Sequence, residues 1–208
     1  MLGGTFDPVH LGHLRICVEL RERLGLDHVR LVPNRVPPHR DAPRASNAVR
    51  AQWIADAIAD EPGLVLDSIE LDRDGPSYTA DTLAVLRERF PDSPLVCILG
   101  QDAFDGLVTW FRWEDIGELA HVVVVPRPGT PSSPVESLPG LMRTDRIEDL
   151  QQSLHGRLLA ANVTPLAVSS TQVRRLLVQG RSVRYLVPDA VWHALAQTSE
   201  QSPPVYDA

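Results

Sequence analysis

Apolar positions along the chain follow two rhythms. At helical spacing, Leu11, Leu14, Cys17, Val18 and Leu24 share a face over residues 11–24, and Gly25 closes that stretch. A second helix is predicted over residues 47–60, with Val49, Trp53, Ile54, Ala57 and Ile58 inward, and a third over Ser77–Phe90. Late helices are predicted at Thr171–Gln179 and Asp189–Ala196. Between them lie short apolar runs that read as strands: Val29–Pro33, Leu64–Ile69, Leu95–Leu99 and Val122–Val125. The last two lack polar alternation, which suits parallel strands covered on both faces. Strand and helix in this alternation predict an α/β protein with a doubly wound parallel sheet. Such sheets bind ligands beyond the carboxyl ends of their strands.

Residues 1–197 read as a single domain, and 198–208 as a polar, proline-containing tail. Asn34–Ser46 and Arg127–Gly140 read as surface loops rich in turn residues. Only Met1 and Leu2 precede Gly3, whereas a strand ordinarily has about 5–6 residues. This predicts that the native chain starts upstream of Met1.

Composition narrows the chemistry. No apolar run approaches the roughly 18–20 residues of a membrane span, and no basic-then-apolar leader opens the chain. A cytoplasmic protein is expected. Cys17 and Cys97 sit in apolar runs and read as small buried hydrophobes. The net charge of −7, with no basic tract, argues against a nucleic-acid partner. All 20 Lys+Arg positions are arginine. Without lysine there is no Walker-type phosphate loop and no Schiff-base chemistry. A phosphate clamp must then use arginine, histidine, backbone N–H groups or a metal.

Two strings suit that task. In Gly3-Gly4-Thr5-Phe6-Asp7-Pro8-Val9-His10-Leu11-Gly12-His13, the glycines let backbone approach a ligand, and Asp7-Pro8 reads as a helix start. His10 and His13 then share a face at the positive end of the helix, where anionic oxygens are favoured. The helix terminus disfavours a charged imidazole and bound phosphates favour it; with a nucleotide bound, the phosphates are expected to win. A zinc pair is the rival reading, but no further Cys or His stands at ligand spacing. Gly12 leaves room for a ligand or a neighbouring strand. In Val168-Ser169-Ser170-Thr171-Gln172-Val173-Arg174, Ser169 and Gln172 fit a capping box and Val168 with Val173 a hydrophobic staple. The same helix start, with Ser170, Thr171 and Arg174, equally fits a second anion site.

Together these strings resemble the nucleotidyltransferase superfamily, with its Gly-Gly-Thr-Phe-Asp-Pro-x-His-x-Gly-His and Ser-Ser-Thr-x-x-Arg motifs. The intervening Pro33-Asn34, Pro37-Pro38-His39-Arg40, Pro76-Ser77-Tyr78-Thr79-Ala80, Gly100-Gln101-Asp102, Thr109-Trp110-Phe111 and Arg127-Pro128-Gly129 resemble bacterial nicotinate-mononucleotide adenylyltransferases. The resemblance runs from Gly3 to about Pro188, and its middle motifs carry the substrate. It implies a Rossmann-like nucleotidyltransferase fold and the small-molecule substrates ATP, with Mg2+, and nicotinate mononucleotide. Deamido-NAD and pyrophosphate would be the products.

The resemblance assigns catalysis to His10, His13 and Arg174. It places ATP and its phosphates on Gly3, Gly4, Thr5, Phe6, His39, Arg40, Ser170 and Thr171. Nicotinate mononucleotide falls to Asn34, Thr79, Gly100, Asp102, Trp110, Phe111 and Arg127, with Trp110 stacking on the ring and Asp102 bonding a ribose. No protein-held metal is implied. Aromatics make up only 5% of the chain, so adjacent Trp110 and Phe111 stand out as more than core. Arg40 departs from the lysine common in relatives and offers a fork instead of a point charge. His28, His121, His155 and His193 have no motif around them and read as structural or surface residues. Two alternatives remain: a sibling transferase acting on a pantetheine phosphate or a cytidylyl substrate, and a non-catalytic adenine-nucleotide sensor on the same fold.

Overall fold

A computed structural model describes residues 1–36, 42–126, 135–164 and 166–201, the last five of these by backbone alone. The strands are β1 (Leu2–Gly4), β2 (Val29–Pro33), β3 (Leu64–Leu66), β4 (Val96–Gly100), β5 (His121–Val125), β6 (Met142–Thr144) and β7 (Arg157–Ala160). They form a seven-stranded sheet in the order β3-β2-β1-β4-β5-β7-β6. The pairings β1 with β4, β2 with β3, β4 with β5, β5 with β7 and β6 with β7 are all parallel. Helices lie on both sides of the sheet, so the doubly wound α/β class is the observed one. The helices are α1 (Leu11–Leu24), α2 (Asn47–Ala57), α3 (Thr79–Arg89), α4 (Gln101–Asp105), α5 (Trp113–Leu119), α6 (Glu148–Gln151), α7 (Ser170–Val178) and α8 (Asp189–Gln201). The chain divides into two compact units, Met1–Gly3 with Pro76–Val163 and Gly4–Gly75 with Thr164–Ala208.

In the unit built around Pro76–Val163, β4 and β5 are the central strands. β5 is buried throughout, and β4 is buried until Gly100 emerges at its carboxyl end. Their unbroken apolar runs pack with Leu83 of α3, Ile116 of α5, Leu107, Leu141 and Leu158. The short β1 enters by pairing Leu2 with Ile98, and the Met1 amino group donates to Val96 O (2.5 Å). Arg87 ties the ends of the helices together. Its guanidinium donates to Leu119 O (2.8 Å), Leu154 O (2.9 Å), Ser93 O (2.8 Å) and Phe90 O (3.1 Å). Carbonyls left over where helices end need donors, and Arg87 supplies several of them. His121, inside β5, accepts from Arg157 N at Nδ1 (3.0 Å) and so donates from Nε2 to Ser153 O (2.9 Å). Burial lowers its pKa from the ordinary histidine value, in keeping with a structural role.

In the other unit, α1 spans the predicted residues and Gly25 ends it in the left-handed region (φ 64°). Leu20 joins Cys17 and Leu24 in the buried face, and burial pushes the Cys17 thiol up to about 12. Ser46 caps α2 by accepting from Val49 N (3.3 Å), and α8 packs against α2. One expectation fails here. Val49 is 38% exposed and Arg50 is wholly buried, because hydrogen-bond partners for a guanidinium lie inside. The strand predicted over Leu64–Ile69 stops at Leu66, where the Asp67 carboxylate accepts from Arg30 (3.0 Å) and Ile69 N (3.2 Å) and turns the chain. The second helix ends at Ala57 instead of residue 60, and the last one continues to Gln201. No helix among the described residues is long and apolar enough to cross a membrane.

Replacing Arg87 with Met should lower the unfolding free energy by about 2–3 kcal/mol, because several carbonyls lose their donor at once. Urea denaturation of the two proteins would measure it. A loss under about 0.5 kcal/mol would mean that water serves those carbonyls equally well.

Candidate active site

In the unit holding α1 and α7, the turn from Gly4 to His10 is held by its carbonyl groups. Gly4 O accepts from Asn34 N (2.9 Å) and Thr5 O from Arg50 Nη1 (2.6 Å). Asp7 O accepts from Arg174 Nη1 (2.7 Å), and Pro8 O from the Ser170 hydroxyl (2.9 Å). Phe6 takes a positive φ of 50°, and the Asp7–Pro8 peptide is cis. Asp7 does not cap α1 as its sequence position suggests. Its buried carboxylate accepts from the N–H groups of Arg44 (2.9 Å) and Ala45 (3.3 Å), and His10 is the N-cap.

His10 and His13 come together at that helix start. Their rings stack with centroids 3.6 Å apart, and Phe6 meets the His13 ring edge-on at 4.9 Å. The His10 N–H donates to His13 Nδ1 (3.4 Å). His10 is 5% exposed, and its Nδ1 makes no well-formed hydrogen bond among the described residues, although the His13 N–H lies nearby in a box-like arrangement. Burial lowers the His10 pKa to about 4, so the imidazole is neutral at pH 7 before any anion arrives. Gly12 serves this pair. A Cβ there would come within 3.1 Å of the His10 ring, so the space that the sequence suggests for a ligand or strand is occupied by His10 itself. A Cβ at Gly4 would likewise press on the Phe6 ring at 3.1 Å.

α7 starts beside this turn. Ser169 caps it by accepting from Gln172 N (3.2 Å), which is the serine half of the predicted capping box. Thr171 Oγ1 accepts from Arg174 Nη2 (3.3 Å), while Ser170 and Arg174 brace the neighbouring turn. Asn34 joins the group through its backbone: its N–H holds Gly4 O and its carbonyl accepts from Arg50 Nη2 (2.6 Å). Its Oδ1 is buried without a hydrogen-bond partner among the described residues.

The unit holding β4 collects the other candidates. Gly3 lies in β1, in ordinary contact with Met1. Gly100 ends β4 and caps α4, with no atom of the described residues within 4 Å of where a Cβ would stand, and Asp102 is exposed on the first turn of α4. Thr79 is the first residue of α3. Trp110 is half-buried against the apolar core, whereas Phe111 is 48% exposed and lies 4.4 Å from the Tyr78 ring. Arg112 follows in the left-handed region (φ 52°) and bonds Asp81 of α3 (3.3 Å) and Asp115 (2.6 Å). Tyr78 and Arg50 are additions to the sequence-derived set. Tyr78 stands in the Pro-Ser-Tyr-Thr string, which was its signal; Arg50 had none, since an arginine on a helix reads as solvent-facing. His39, Arg40 and Arg127 lie outside the described residues. Among the described residues no group of three His, Cys, Asp or Glu side chains could hold a metal ion.

Two imidazoles and two helix starts carry N–H donors of the kind that suit anionic oxygens. The cytidylyltransferase-like family matches residues 1–176, and the chain belongs to it. A protein of Chromohalobacter salexigens described as a "probable nicotinate-nucleotide adenylyltransferase" is 50% identical over 196 residues, 92% of this chain and 90% of that protein. Another so described, from Aeromonas hydrophila, is 45% identical over 200 residues, 95% of this chain and 94% of its own length. The solved Plasmodium falciparum nicotinic acid mononucleotide adenylyltransferase, complexed with NaAD, shares the fold. Its TM-score is 0.74 at 14% identity, covering 95% of this chain and 94% of that one.

A histidine whose folded-state pKa is depressed contributes stability above the unfolded value, and that stability is lost as pH falls through the folded value. For His10 the window runs from 6.5 down to about 4. Unfolding measured at pH 7 and pH 5 should show a loss about 2 kcal/mol larger in the unliganded wild type than in His10→Asn. Equal pH slopes would show that His10 is not held neutral by burial.

Proposed function

We propose that the chain is a nicotinate-nucleotide adenylyltransferase, which joins ATP to nicotinate mononucleotide and forms deamido-NAD and pyrophosphate for NAD biosynthesis in the cytoplasm. The observation that carries this reading is the stacked His10–His13 pair at the start of α1, after a turn whose Pro8 and Asp7 carbonyls are held by Ser170 and Arg174 of α7. The relatives of near-half identity support the choice of mononucleotide.

The 5′-phosphate of the mononucleotide attacks the α-phosphorus of ATP in line, the bond to the β-phosphate bridging oxygen breaks, and pyrophosphate leaves. A phosphate nucleophile is already ionised at neutral pH, so no covalent intermediate and no strong general base is required. Catalysis rests on positioning and on charge stabilisation. His10 and His13 hold the phosphates of ATP. The anion offsets the burial that keeps His10 neutral, and the protonated ring then balances charge as pyrophosphate forms. Arg174 has five N–H donors, so it can brace Asp7 O and still reach a phosphate, with Ser170 and Thr171 beside it. Gly3, Gly4, Thr5 and Phe6 take the nucleotide at the turn. Magnesium enters with ATP as part of the substrate, neutralising phosphate charge and keeping several of its waters.

For the mononucleotide, Trp110 stacks on the pyridine ring and Phe111 closes beside it. The N–H groups near Thr79 and Phe111 take the carboxylate. Gly100 admits the ribose, Asp102 bonds its hydroxyls, and Asn34 contacts the phosphate side.

Purified protein with ATP and magnesium should release pyrophosphate with nicotinate mononucleotide and far less with nicotinamide mononucleotide. Release with neither would reject this substrate. His13→Ala should lower kcat by roughly 10²–10³ with little change in melting temperature; parallel loss of both would count against a role in the reaction. In Trp110→Ala the KM for the mononucleotide should rise more than that for ATP, and an unchanged value would remove Trp110 from the site.

A further inference from the structure

Arg50 of α2 is wholly buried, and its donors go to three separate pieces of chain. Nη1 donates to Thr5 O (2.6 Å), and Nη2 donates to Asn34 O (2.6 Å) and to Asn47 Oδ1 (2.7 Å). Burying a guanidinium is costly unless its partners are well placed. Apolar side chains could fill the same space, so mere packing does not account for a charge here.

The geometry of the peptide bond supplies a reason. A trans peptide is planar, and its carbonyl and the following N–H point to opposite sides. Among the described residues only Asp7–Pro8 is cis. Drawing Thr5 O toward Arg50 therefore turns the Phe6 N–H the other way. The Asn34 N–H does the same for the next donor, because it draws Gly4 O and so turns away the Thr5 N–H. Asn34 is itself held by Arg50 through its carbonyl. One planar fork thus sets the direction of two successive backbone donors in the turn, and Asn47 anchors that fork to α2. A lysine keeps the charge but cannot bridge Thr5 O and Asn34 O with the same fixed geometry.

We propose that Arg50 is a positioning residue for the nucleotide, aiming the Thr5 and Phe6 N–H groups at ATP. This rests on the reading of the turn as the ATP site.

The test is steady-state pyrophosphate release by the intact chain as wild type, Arg50→Lys and Asn47→Ala, each well below its own melting temperature. In Arg50→Lys the KM for ATP should rise about tenfold, the scale of one lost hydrogen bond, and clearly more than the KM for nicotinate mononucleotide, which depends on Arg50 only through Asn34. Asn47→Ala should move the ATP value a few-fold in the same direction, and it carries the test alone if Arg50→Lys does not fold. A lower melting temperature with both KM values unchanged would overturn the proposal, as would an equal rise in both, since either result describes a residue that only supports the fold. Absence of pyrophosphate release by the wild type would instead reject the adenylyltransferase reading, and the role of Arg50 with it.

Discussion

The turn between β1 and α1 depends on donors brought from distant parts of the sequence to its carbonyl oxygens. Asn34 N takes Gly4 O, Arg50 takes Thr5 O, Arg174 takes Asp7 O and Ser170 takes Pro8 O. The turn is short and irregular, with Phe6 at positive φ, so it has no ladder of its own to hold it. Once each carbonyl is held from outside, the orientation of the intervening N–H groups follows from the planarity of the peptide. Asp7 completes the frame by receiving two N–H groups from residues 44 and 45. A rigid set of donors gives charge stabilisation without reorganisation at the moment of reaction.

The stacked histidines depend on that frame. His10 caps α1, and Gly12 clears the space for its ring. The resulting burial removes the charge that a free histidine would carry below its ordinary pKa. The His10 ring held in this way is neutral before an anion arrives and gains a proton most easily where negative charge is brought to it. The aromatic candidates of the other unit show a different division of labour. Trp110 leans on the core, whereas Phe111 stays exposed beside Tyr78, and Arg112 fixes the backbone between Phe111 and α5 through Asp81 and Asp115. Support and exposed surface are thus provided by consecutive residues.

Much of this was legible beforehand, and the reason is local. Helix α1 has a run of apolar positions long enough to establish its period, and Gly25 marks its end. Strands β4 and β5 are unbroken apolar runs, the mark of central parallel strands. The helices and strands that escaped prediction are short: β6 has three residues, β7 four, α6 four, α4 five and α5 seven. A period cannot be read from so few positions, and their partners lie far along the chain.

What the sequence by itself determined was the α/β rhythm, the two phosphate-type strings and the residue types available for a clamp, since these depend on neighbours within a few positions. Tertiary structure alone decided which of those residues brace the frame. It buried Arg50 and exposed Val49, gave Asp7 to the amides of residues 44 and 45 in place of the helix, and assigned Arg174 and Ser170 to carbonyls more than 160 positions away. The physical reason is that a buried donor must find an acceptor wherever the fold places one. Local periodicity carries no information about acceptors that arrive from another part of the chain.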